Sequence, residues 1–98
     1  MITIYKYPLL LTLQQTLHIP GLLEVLSVNE QRNNLVLYCA VDTENLVKVV
    51  VDVRILGTGQ DASAVGSFNF LGTVNNCDGK FMWHVFVSIL GTVAGMGN

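Results

Sequence analysis

Leu46-Val47-Lys48-Val49-Val50-Val51-Asp52-Val53-Arg54-Ile55-Leu56-Gly57-Thr58-Gly59-Gln60 is the stretch whose reading decides the fold. Successive side chains of an extended strand point to opposite faces. Val47, Val49, Val51, Val53 and Ile55 therefore form one wholly β-branched face, and Lys48, Val50, Asp52, Arg54 and Leu56 form a mixed one. A helix would scatter the valines around its axis, so the run predicts a central β-strand. Gly57-Thr58-Gly59 ends it as a turn with two residues free to take positive φ.

Outward from this strand, the neighbouring segments read the same way. Leu35 to Val41 is apolar on both faces and predicts an interior strand, joined to the first by the polar turn Asp42-Thr43-Glu44-Asn45. Asn29 to Asn34 holds no apolar residue, which predicts a solvated loop with a hairpin tip near Asn33-Asn34, after a strand over Leu22 to Val28. Leu13, Gln15, Leu17 and Ile19 alternate with polar residues, although Leu10, Leu13 and Leu17 also suit a short helix. Pro20 pushes Ile19 towards extended geometry and tips the reading to strand, with Pro20-Gly21 a turn. Ile2 to Tyr7 is a first strand, with Ile2, Ile4 and the Lys6 stem on one face and Tyr5 and Tyr7 on the other.

Beyond the glycine turn, Asp61 to Ser67 reads as a mobile loop and Phe68 to Val74 as a strand. Asn75 to Gly79 is a turn cluster, with Asp78-Gly79 a type I′ hairpin signal. Lys80 to Ser88 is the last strand, with Phe81, Trp83, Val85 and Val87 opposite Met82, His84 and Phe86. The expectation is one all-β domain over residues 1–88, a small antiparallel sandwich or partly closed barrel of six to seven strands, without helices. Residues 89–98 read as an apolar, glycine-containing tail, loose or docked on a neighbouring subunit.

Composition bounds the partners. Of the 98 residues 51% are hydrophobic and 12% charged, against about 25% charged in an average soluble domain. Apolar surface in excess of one core predicts a homo-oligomer. The formal charge is −2, and Lys6, Arg32, Lys48, Arg54 and Lys80 are too dispersed for general DNA or RNA binding. A small anionic ligand needs only one or two cations and fits this balance. Cys39 reads as a buried reduced thiol, with a pairing to Cys77 left open. No basic segment leads into an apolar run at the start, and no apolar run is long enough to span a membrane, so the expected location is cytosolic.

Catalytic constellations are absent from the sequence pattern. His18 and His84 lie far apart, no serine sits in a nucleophile elbow, and the acids fall mostly in turns. The expectation is a non-enzyme without metal or cofactor. Gly57-Thr58-Gly59 resembles a backbone anion cradle, although the segment after it is a poor helix start and a plain turn is the simpler reading. Arg54, beside that turn, is the natural phosphate partner, or else is a surface residue or forms an ion pair with Asp52 or Glu44 on a neighbour. Trp83 or a tyrosine of the first strand offers a ring for a nucleobase, against the alternative of core packing.

Several blocks together carry a family likeness. Ile4-Tyr5-Lys6-Tyr7-Pro8-Leu9, Gln15-Thr16 with Pro20, Leu26-Ser27-Val28 with Gln31, Arg54-Ile55 with Gly57-Thr58-Gly59, Leu71-Gly72-Thr73-Val74 and Trp83-His84-Val85-Phe86 follow in order. They resemble a family of short, functionally uncharacterised proteins met in phages and prophages, over about residues 1–87. In that family a histidine usually follows Gly-Thr-Gly. Gln60 stands here instead, which favours binding over catalysis at this position. The phage setting implies an accessory protein in the host cytoplasm that sequesters a small nucleotide signal of host defence. Its pockets would form between subunits from Arg54, Gly57, Thr58, Gly59, Gln60, Lys6, Tyr5, Trp83 and His84. The alternatives are a protein–protein inhibitor or virion accessory acting on a host protein through sheet edges and apolar surface, and, last, a nucleotide-directed enzyme using His84.

Overall fold

The computed structural model describes residues 1–76 and 78–93. These form seven strands: β1 (Ile2–Pro8), β2 (Gln14–Pro20), β3 (Leu22–Gln31), β4 (Asn34–Asp42), β5 (Lys48–Gly57), β6 (Asn69–Asn76) and β7 (Phe81–Val93). They make two antiparallel sheets, ordered β1-β4-β3 and β2-β5-β7-β6. β3 and β6 lie alongside each other, but no ladder joins the sheets, so the molecule is a small open sandwich and not a barrel.

The core sits between the sheets and follows the alternation of the sequence. Val51, Val53 and Ile55 of β5 meet Leu37, Cys39 and Val41 of β4, with Ile19, Val85 and Val87 around them, all buried. β4, β5 and β7 each have a neighbour on both sides, and β4 and β5 are buried or half-buried along most of their length. The Cys39 thiol is buried among these side chains, and burial pushes its pKa up to about 11. Cys77, and with it the question of a Cys39–Cys77 pair, lies outside the described residues.

One connection shapes the whole molecule. Gly21 alone links β2 of the four-stranded sheet to β3 of the three-stranded one, while β4 and β5 change sheet over residues 43–47. Since β2 pairs with β5 and β3 with β4, these four strands are one long hairpin folded over at its middle. At the fold the Gly21 N–H donates to the Val47 C=O, and the Asp42 N–H donates to the Gly21 C=O, both at 2.8 Å. Gly21 has φ +66°, and a Cβ there would sit 2.2 Å from the Asp42 carbonyl oxygen, so only glycine fits.

Four expectations are corrected. Asn29, Glu30 and Gln31 continue β3, and the hairpin tip is Arg32-Asn33, at φ 53° and 67°. Polar residues suit the exposed end of a ladder, and a two-residue turn with both φ positive matches the twist of its strands. Asn75 and Asn76 likewise belong to β6, with Asn76 buried against Trp83. The Asp61–Ser67 segment is anchored: the Asp61 carboxylate accepts from the Ser63 N–H and hydroxyl, opening a 3-10 turn at Ser63–Val65 that buries Val65. Finally, β7 runs through Ile89 to Val93, because the first residues of β5 need a partner; Lys48 pairs with Val93 and Val50 with Gly91, past a bulge. Residues 94–98 lie outside the described residues.

Candidate functional site

β5 delivers the glycine turn at one end of the four-stranded sheet. The Gln60 N–H donates to the Gly57 C=O at 3.1 Å, and Gly59 has φ +93°, the pattern of a type II turn. The Gln60 side chain then folds back, its Oε1 accepting the Gly57 N–H at 2.6 Å. The backbone donor that an anion cradle would have offered at Gly57 is therefore already taken by an amide oxygen of the same loop.

Thr58 is tied to the next strand. Its Oγ1 lies 2.8 Å from His84 Nε2, and Thr73 Oγ1 lies 2.9 Å from His84 Nδ1. A neutral imidazole donates at one ring nitrogen and accepts at the other, and a hydroxyl can serve either. His84 thus sits satisfied between two threonines and clamps the turn onto β7 and β6. Thr73 faces His84 directly across the β6–β7 ladder, a pairing that no sequence spacing displays.

Arg54 is committed as well. Its Nε and Nη2 each lie 3.2 Å from an oxygen of Asp52, two residues earlier on the same strand face. Gln14 of β2 adds an amide donor to Asp52 Oδ1 at 3.1 Å, and the Arg54 guanidinium lies over the Phe68 ring at 5.2 Å. Burial alone would raise the Asp52 pKa, but the hydrogen bonds from Arg54 and Gln14 and the charge of Arg54 hold it below the usual carboxylate range. Of the readings of Arg54, the ion pair is the one formed, with Asp52 of its own strand, and it leaves a guanidinium already shared.

What remains open surrounds Gln60. A groove of about 270 Å³ runs between Leu11, Thr12, Leu13, Ile55, Gln60 and Trp83. A second, of about 410 Å³, includes Leu13, Arg54, Gln60 and Asp61, and a third, of about 170 Å³, lies between the glycine turn, His84 and Phe86. Trp83 reaches the first groove stacked on Phe81, ring centroids 5.9 Å apart, while its Nε1 donates to Asn76 Oδ1 at 2.9 Å.

The structure thus gathers Arg54, Gly57, Thr58, Gly59, Gln60, Trp83 and His84 at one end of one sheet. It does not bring Tyr5 and Lys6 to them: both belong to β1 of the other sheet, where Lys6 Nζ donates to Gln31 Oε1 at 2.6 Å. Leu11, Thr12 and Leu13 were missed, because a short apolar connection carries no signal of what it lines. Among the described residues, no three His, Cys, Asp or Glu side chains cluster to hold a metal ion. No helix there is long and apolar enough to cross a membrane. No curated protein and no solved structure matches the chain. One family model does match, over residues 1–93, and describes a domain of unknown function (DUF7352).

Proposed function

We propose, for a chain that belongs to the DUF7352 family of unknown function, a non-enzymatic role: binding and sequestering a small nucleotide in the grooves around Gln60. The observation that carries this reading is the position of Gln60, whose side chain borders all three grooves. With its Oε1 held by the Gly57 N–H, the Gln60 amide offers its NH2 as a donor to a base edge, and Trp83 supplies a ring in the adjoining groove. Arg54 is shared with Asp52, so the site suits a ligand of low charge, such as a cyclic nucleotide, better than a polyphosphate. The likeness to phage and prophage proteins supplies the setting, counter-defence in the host cytoplasm.

Calorimetric titration with a panel of cyclic mono- and dinucleotides tests the proposal. Saturable binding of at least one nucleotide is expected, with the ligand recovered unchanged by chromatography. Gln60→Ala should weaken it at least tenfold, equivalent to about 1.4 kcal/mol. Heat from none of them, or conversion of the bound nucleotide, overturns the reading.

A second reading has its own observation. Ile2, Ile4, Leu10, Leu11 and Leu13 are large apolar side chains left exposed along β1 and the connection after it. Such a surface supports association, with further copies of the chain or with a host protein, as the way the protein acts.

A further inference from the structure

We propose that the free edge of β1 is the binding site for a second copy of this chain, the two β1 strands pairing antiparallel about Ile4. The inference rests on the association reading above and is independent of the ligand reading.

The hydrogen-bond phase of β1 identifies what its edge offers. At one end of the β1–β4 ladder the Leu9 N–H donates to the Leu35 C=O, and at the other the Thr43 N–H donates to the Met1 C=O, each at 2.9 Å. Bonded pairs recur at every second residue of an antiparallel ladder. Thr3, Tyr5 and Tyr7 therefore direct their backbone groups to β4, while Ile2, Ile4 and Lys6 direct theirs outward.

Natural edge strands are usually blunted by charge, proline, a bulge or short length. β1 keeps an unbroken register with β4 from Ile2 to Pro8, and its proline comes last. Its one charged side chain, Lys6, reaches across the sheet, where its Nζ donates to Gln31 Oε1 of β3. The other two outward residues are apolar, with Ile2 69% and Ile4 60% exposed. β2 also has a free edge, but Gln14, Thr16 and His18 line it, and Gln14 is engaged with Asp52. β1 is the edge that gains by pairing.

The register points to a like strand as the occupant. With Ile4 of one copy opposite Ile4 of the other, Ile2 falls opposite Lys6. Every outward N–H and C=O of Ile2, Ile4 and Lys6 then meets a complementary group. The two lysines lie at opposite ends, so no like charges are set face to face, and the central pair is β-branched on both sides. This is the isologous symmetry of a two-fold dimer. The two three-stranded sheets become continuous, and each copy keeps its own grooves around Gln60.

Native mass spectrometry with amide hydrogen exchange tests the pairing. The wild-type chain is expected as a dimer in which the Ile2, Ile4 and Lys6 amides exchange as slowly as those of Thr3, Tyr5 and Tyr7. Ile4→Pro removes an N–H that makes no bond within its own sheet, so the fold should persist while the dimer is lost. Ile4→Asp sets two carboxylates opposite each other and should act alike. Both variants should keep the wild-type circular dichroism and whatever nucleotide titration the wild type shows. A wild-type monomer at every concentration overturns the inference. So does a dimer whose Ile2, Ile4 and Lys6 amides exchange freely, or one that survives in both folded variants. Since the nucleotide titration is read separately, either reading can fail alone.

Discussion

Asp52 condenses the character of the mixed face of β5 into one residue. Its side chain is largely buried, and it survives as a carboxylate because Arg54 and Gln14 satisfy it. The sign of the pH effect follows from the lowered pKa in the folded state. Its stabilisation is fully present above the unfolded-state value, about 3.9 for an aspartate, and is lost as the pH falls through the lower folded-state value. Urea unfolding measured from neutral pH down through and below about pH 3.9, the unfolded-state value, should therefore show a loss of stability that Asp52→Asn lacks. At neutral pH, Asp52→Ala should cost about 2 kcal/mol, since it leaves Arg54 and Gln14 without their acceptor. The Asp52–Arg54 half of this cluster was legible, because residues two apart on a strand share a face. The contribution of Gln14 was not, because it depends on which strand lies beside β5 and in what register.

Among the elements, the turns separate what sequence can reveal from what it cannot. Asp78 and Gly79 both have positive φ, but the Gly79 N–H donates to the Asn76 C=O and β7 starts at Phe81, so the connection is longer than the two-residue type I′ turn such a dipeptide signals. Arg32-Asn33 escaped by one position, because arginine is an uncommon first residue for such a turn while Asn33-Asn34 suits it on composition. Gly21 was visible as a turn residue, but not as the point where one strand passes between sheets; that depends on Asp42 and Val47 arriving from far along the chain. The two kinds of glycine should respond differently to the same change. Gly21→Ala drives a methyl group into a backbone carbonyl and should cost roughly 3 kcal/mol or more. Gly79→Ala also forces a positive φ, but meets nothing within 4 Å, and should cost about 1 kcal/mol. Urea midpoints of the two variants check the contrast, and equal losses would mean that the crowding at Gly21 is relieved by movement of the residues 43–47 connection.

At the scale of the molecule, the all-β class and the antiparallel pairing were readable because alternation and turn residues are local. The choice of sandwich over barrel was not, since closure depends on whether β3 bonds to β6 or only lies beside it. The site was legible in kind, with the glycine turn, His84 and Trp83 drawn together, but Tyr5 and Lys6 were assigned to it without knowledge of which sheet takes β1. The long hairpin from Gln14 to Gly57, turned at Arg32-Asn33 and folded at Gly21, also bears on the order in which the chain assembles. Once the tip has formed, each next pair of residues is brought together by the one before it, so little chain entropy is lost per step until the fold at Gly21. The tip should then be structured in the transition state. Arg32→Asn, which suits a left-handed turn better, should stabilise by about 0.5–1 kcal/mol. In a denaturant chevron that gain should appear as folding some two- to fivefold faster, roughly RT-scaled from the same energy, with the unfolding rate almost unchanged. A gain confined to the unfolding arm would instead mean that the sheets dock first and the tip closes last.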